Sequence, residues 1–261
     1  MPRILVTNDD GIKSPMLPAL ARALAPLGEV VVVVPHVERS WVGKAISRFD
    51  VVKVERVEVE GIEMFTATGT PADCASLGVH SLFGSPPDFV VSGVNLGLNS
   101  GIAFLLGSGT VGAAIEASLA GVPSLAFSAA LPRDAFGLAG EERMRAVGDL
   151  PMRTAEVAAD ITEVILRRGL PTGVDCLSVN MPPEVMRATP REICPITRTR
   201  YGLLFQPADG GYRHKFSGLI VDSRPDGDVA AVARGHVSIS PLRLELSGEL
   251  PAALAAELTR A

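Results

Sequence analysis

Short apolar runs alternate along most of the chain with longer stretches whose apolar positions recur at helical spacing. Arg3 to Thr7 is the first run; it ends in Asn8-Asp9-Asp10-Gly11 and is followed by Ser14-Pro15 and an alanine- and leucine-rich stretch to Leu27. That order spells strand, loop, helix, with Ser14 and Pro15 suited to the N-cap and first turn. After Gly28, Glu29 to Val34 is a continuous β-branched run, the pattern of a strand buried on both faces. Thr70-Pro71-Ala72-Asp73 predicts a capped helix to about Phe83, and Asp88 to Ser92 the next strand. Ser108-Gly109-Thr110 precedes a helix over 111–120, and 122–128 reads as a further strand. Met152 to Arg168 is helical in spacing and Val174 to Asn180 strand-like. Such alternation predicts an α/β fold, a Rossmann-like, doubly wound, mostly parallel sheet whose ligand site lies beyond the carboxyl ends of the strands.

Two segments break the alternation. Ile46 to Val59 mixes β-branched and charged residues in near alternation, which predicts an outlying hairpin insertion near 46–66. After Pro195 the strand candidates 196–205, 212–220 and 229–239 are separated by Gly, Asp and Pro, with a short helix over 251–260. The chain is therefore divided into a catalytic α/β domain, 1–194, and a β-rich C-terminal extension, 195–261, read as an oligomerisation arm.

Composition narrows the function. The 261 residues are 47% apolar, enough for a sizeable core, and the formal charge of -5 argues against binding a nucleic acid polymer through its backbone. A small phosphate ester remains admissible, because a metal or a helix N-terminus supplies local positive potential. Three cysteines without CxxC spacing and four scattered histidines predict reduced thiols and no zinc or histidine cage. No signal-peptide pattern or long apolar run is present, so a cytoplasmic protein with no membrane association is expected.

Adjacent carboxylates at a strand end repel each other by about 4 kcal/mol at ~4 Å unless a cation lies between them. Asp9 and Asp10 can reach one ion only where the chain turns, which Gly11 permits; equally, one could cap the turn and the other be solvated. Ser92-Gly93-Val94-Asn95-Leu96-Gly97-Leu98-Asn99 offers two amides beside glycines that let backbone approach a ligand, or a self-satisfied turn. Ser108-Gly109-Thr110 at a helix start suits phosphate, and suits ordinary capping as well. Ser40 is one hydroxyl among many, and Trp41, the sole tryptophan, fits a core position better than a stacking platform.

Six ordered blocks, 4–14 (ILVTNDDGIKS), 33–46, 69–77, 87–95, 108–116 and 236–242, resemble the SurE (survival protein E) family over nearly the whole chain, with an archaeal-type loop length before Ser108. The resemblance implies a 5'-nucleotidase: hydrolysis of nucleoside 5'-monophosphates with one divalent ion, Mg²⁺ or Mn²⁺, in a homodimer or homotetramer. It places metal ligands at Asp9, Asp10, Ser40 and Asn95, catalytic roles at Asp9, Asp10 and Asn95, and substrate contacts at Asn99, Ser108, Gly109 and Thr110. Three departures stand out: Trp41 where a small residue is common, Gly107 where an aromatic is common, and no acidic residue in Ile102 to Leu106. A haloacid dehalogenase-type phosphatase would need Asp-x-Asp, which this chain lacks. A non-enzymatic nucleotide-binding or regulatory module is the alternative, and would bind without turnover.

Overall fold

The computed structural model describes residues 1–135, 138 and 140–260. Its first half is built of β1 (Arg3–Thr7), α1 (Met16–Leu24), β2 (Glu29–Pro35), the hairpin β3 (Val54–Val59) and β4 (Ile62–Ala67), α2 (Pro71–His80) and β5 (Phe89–Leu96). There follow α3 (Ile102–Gly107), α4 (Gly109–Leu119), β6 (Ser124–Ala129), α5 (Gly140–Val147), α6 (Leu150–Arg168) and β7 (Cys176–Met181). The rest comprises β8 (Arg191–Ile193), β9 (Thr199–Tyr201), β10 (Phe205–Ala208), β11 (Gly211–His214), β12 (Leu219–Val221), α7 (Asp228–Ala233), β13 (Val237–Leu242) and α8 (Ala252–Leu258).

One nine-stranded sheet, in the order β3-β4-β2-β1-β5-β6-β7-β13-β8, runs through the molecule. Pairing is parallel from β4 across to β7 and antiparallel at β3/β4 and β7/β13. From β1 the chain winds outward to β2 and β4, then returns to lay β5 on the other side of β1, so the winding reverses between β1 and β5. A crevice at the strand ends is built into that reversal.

Both faces of the sheet are apolar because successive side chains alternate sides. Ile4 and Val6 join Leu17, Leu20, Phe127, Val157 and Ile161 on the side of α1 and α6. Leu5 joins Val33, Cys74, Val90 and Ala117 on the side of α2 and α4. All three cysteines are buried and unpaired, and burial pushes the Cys176 thiol up to about 12, so they act as apolar filling. Among the described residues no helix is long and apolar enough to cross a membrane.

The doubly wound α/β expectation holds, and three local expectations change. The hairpin is not an outlying insertion near 46–66: it spans 54–67, and β4 pairs in parallel with β2, so it is the edge of the main sheet. Its pattern of exposed charge and half-buried Val suits an edge strand as well as a detached hairpin. The stretch 229–239 is not one strand; Val229 to Ala233 lies in α7, where alanines outweigh the valines, and only β13 is extended. The boundary at 194/195 does not divide the fold either, since β13 returns to pair with β7 and β8. What leaves the sheet is narrower: the β9/β12 pair and the β10/β11 hairpin it carries, residues 199–221. Wholly buried Asp228 tethers that excursion, accepting from the N–H groups of Gly101 (2.7 Å), Thr197 (2.8 Å) and Val229 (2.8 Å).

Candidate active site

A cavity of about 1070 Å³ lies at the carboxyl ends of β1, β2, β5 and β6. It is lined by Asp9 and Asp10 after β1, His36, Val37, Glu38 and Ser40 after β2, Asn95 to Asn99 at the end of β5, and Ala130 and Leu131 after β6. The sheet thus gathers segments far apart in sequence, as the reversal between β1 and β5 requires.

The turn that presents the carboxylates is closed by Asn8. Its side chain accepts from Gly11 N–H and donates to Gly11 C=O, both at 3.1 Å. Gly11 has φ of 79°, and a Cβ there would lie 2.8 Å from the Val37 carbonyl carbon, so glycine is required twice over. Since Asn8 caps the turn, neither aspartate is needed for it. Asp10 accepts from Leu96 N–H at 3.3 Å and from the Ser14 hydroxyl at 3.5 Å, which ties β1 to β5. Asp9 is buried, and burial raises its carboxyl above the usual carboxylate range; hydrogen bonds from Thr110 oppose this, and the Glu38 charge adds to it.

Gly109 and Thr110 do not line the cavity. Thr110 Oγ1 donates to Asp9 Oδ1 at 2.5 Å, and a Cβ on Gly109 would lie 2.8 Å from Asp9 Cβ. Both therefore hold Asp9, a contact the sequence did not suggest: the helix start faces a carboxylate of its own chain. Ser108 and Asn99 do reach the cavity wall. Ser108 Oγ caps α4 by accepting from Val111 N–H at 3.1 Å, while Asn99 is pinned by Asn180 Oδ1 and Ser128 Oγ, each at 2.8 Å.

Asn95 sits where the β5/β6 register shifts, and its amide donates to Gly97 C=O at 2.7 Å. Ser40 shares the cavity but is exposed, and its hydroxyl donates to Glu38 Oε1 at 2.6 Å, an engagement that any ion would have to displace. Among the described residues no group of three or more His, Cys, Asp or Glu side chains stands in metal-binding geometry. The available set is two carboxylates with neutral oxygens, which suits a hard cation that keeps water and substrate in its shell. Lys13, Glu38, Glu141, Phe104 and Phe216 also line the cavity and had no signal in the sequence, because single charged or aromatic residues carry no local pattern. Trp41 is not in the core; it is 44% exposed and stands in the cavity wall.

The family described as survival protein SurE matches residues 4–203. A protein of Archaeoglobus fulgidus named 5'-nucleotidase SurE is 36% identical over 250 residues, 95% of this chain and 94% of its own. The protein of the same name from Methanopyrus kandleri is 38% identical over 256 residues, 96% and 95% of the two chains. The crystal structure of SurE protein from Aquifex aeolicus superposes with a TM-score of 0.77 at 29% identity, covering 99% of this chain and 100% of that one.

Proposed function

The chain belongs to the SurE family, and from that premise we propose that it is a 5'-nucleotidase, a divalent-metal-dependent phosphomonoesterase that converts nucleoside 5'-monophosphates to nucleoside and phosphate. The observation that carries the metal dependence is the charge of the cavity. Asp9, Asp10, Glu38 and Glu141 line it, with Lys13 as the one lysine or arginine among the described lining residues. A phosphate dianion entering an acidic cleft meets repulsion of several kcal/mol, on the order of ~4 kcal/mol per close charge pair at an effective dielectric near 20.

Bound there, Mg²⁺ or Mn²⁺ would supply the charge that reverses this repulsion and would polarise a phosphoryl oxygen. Asp9, Asp10 and Asn95 would hold it, with Ser40 joining once its hydroxyl leaves Glu38. Asp9 or Asp10 accepts the proton of the attacking water. Burial lifts the Asp9 carboxyl above the usual carboxylate range in the metal-free site, which favours it as the proton acceptor. Ser108 Oγ already accepts from Val111, so its O–H is the group left to donate to a phosphoryl oxygen. Thr110 and Gly109 position Asp9.

Release of inorganic phosphate from AMP and GMP, with Mg²⁺, Mn²⁺ or chelator, tests the reading. Turnover that needs the metal supports it; nucleotide affinity without turnover would show a binding module instead.

We also propose assembly into a homodimer or homotetramer through residues 199–221. Support comes from Leu203, Phe205 and Tyr212, which are 75%, 57% and 76% exposed on that excursion, and from α8, which has no buried residue.

A further inference from the structure

The cavity wall carries aromatic rings as well as carboxylates: Trp41 from the loop after β2, Phe104 from α3 and Phe216 from the excursion that leaves the sheet. Their rings lie 5.4 to 6.1 Å apart, centroid to centroid, at interplanar angles between 49° and 75°. Rings in a filled core are sealed, whereas here Trp41 is 44% and Phe216 40% exposed to the cavity side or solvent. Tyr201 and His214 brace the indole at 5.4 and 5.1 Å without themselves lining the cavity.

The backbone also holds Trp41 where a side chain is costly, at φ of 62°, in the left-handed region. Gly107 lies beside it: a Cβ there would make ordinary contact with Trp41 Cε3 at 3.7 Å and crowd the Tyr201 hydroxyl at 3.1 Å. Trp41 directly follows Ser40, so one loop brings both the hydroxyl and the indole to the cavity.

We propose that Trp41, with Phe104 and Phe216, is a stacking platform for the leaving group, and that it selects phosphomonoesters carrying a planar heteroaromatic base, purines before pyrimidines, over sugar phosphates. The inference rests on the phosphomonoesterase reading of the carboxylates. A flat π-face stacks on every base, with strength that grows with ring area, and a sugar phosphate offers none.

The sole tryptophan provides a probe that does not depend on turnover. Adenosine and AMP should quench its fluorescence saturably in the intact protein, and ribose 5-phosphate should not. Equal responses to the two phosphates, or none to adenosine, would overturn the platform. In kinetics, Trp41→Ala should lower the ratio of kcat/KM for AMP to kcat/KM for ribose 5-phosphate about tenfold or more, through KM, and Trp41→Phe should restore most of it. An unchanged ratio in folded Trp41→Ala would mean that the indole only braces the excursion, which overturns the proposal. If nucleosides quench and no phosphomonoester is hydrolysed under any metal, the phosphatase reading falls while the platform stands.

Discussion

At the residue scale, one buried carboxylate is central to the proposed chemistry. Asp9 is held by the Thr110 hydroxyl and packed against Gly109, so its position is set by the start of α4 and not by its own strand alone. Asp9→Asn removes charge and proton acceptor together while preserving volume, and should reduce turnover roughly 100-fold or more with an unchanged circular dichroism spectrum. Near-normal turnover at saturating Mg²⁺ would count against the assignment. In the metal-free protein, burial raises the Asp9 carboxyl above its unfolded value, so this group's contribution to stability is full below about pH 3.9 and declines as pH rises through the folded value. A divalent ion prefers the ionised form, so the melting-temperature gain from Mn²⁺ should grow with pH over that window, and a gain independent of pH would argue that the ion binds elsewhere. The adjacency of the two aspartates was readable from sequence. The role of Thr110 was not, because a hydroxyl at a helix start looks the same whether it faces phosphate or a carboxylate.

At the element scale, close backbone approaches decide where the loops lie. A Cβ on Gly112 of α4 would lie 2.4 Å from the Gly43 carbonyl oxygen, so α4 and the loop bearing Ser40 and Trp41 touch through two glycines. Gly112→Ala should push that loop away, costing about 1–3 kcal/mol in urea denaturation and lowering nucleotide turnover together. Unaltered stability would mean that the loop yields without resistance. Periodicity located β1, β2, α2, β5 and α6 because both their faces or their caps are marked in sequence. It missed α3, whose stretch IAFLLG is too short for a helical period to be seen, and it joined α7 to β13 because valine favours strands only until neighbouring contacts decide otherwise.

At the scale of the whole molecule, the sheet does two jobs. Its reversal of winding between β1 and β5 brings Asp9, Asp10 and Asn95 to one crevice, and its far side sends out the 199–221 excursion whose Phe216 closes that crevice. The alternation of runs foretold the doubly wound sheet, whereas the return of β13 to it is a long-range pairing that no local pattern encodes. Replacing Gly202 to Gly218 with a short linker keeps β13 and α7 in place and should yield a monomer by light scattering; an unchanged oligomer would contradict the proposed arm. The most direct test of the site is anomalous diffraction from crystals soaked with Mn²⁺ and phosphate. The expected result is one manganese peak about 2.1 Å from oxygens of Asp9, Asp10 and Asn95 with phosphate in its shell. A peak away from those three side chains, or none, would contradict the idea that the ends of β1 and β5 share a single cation.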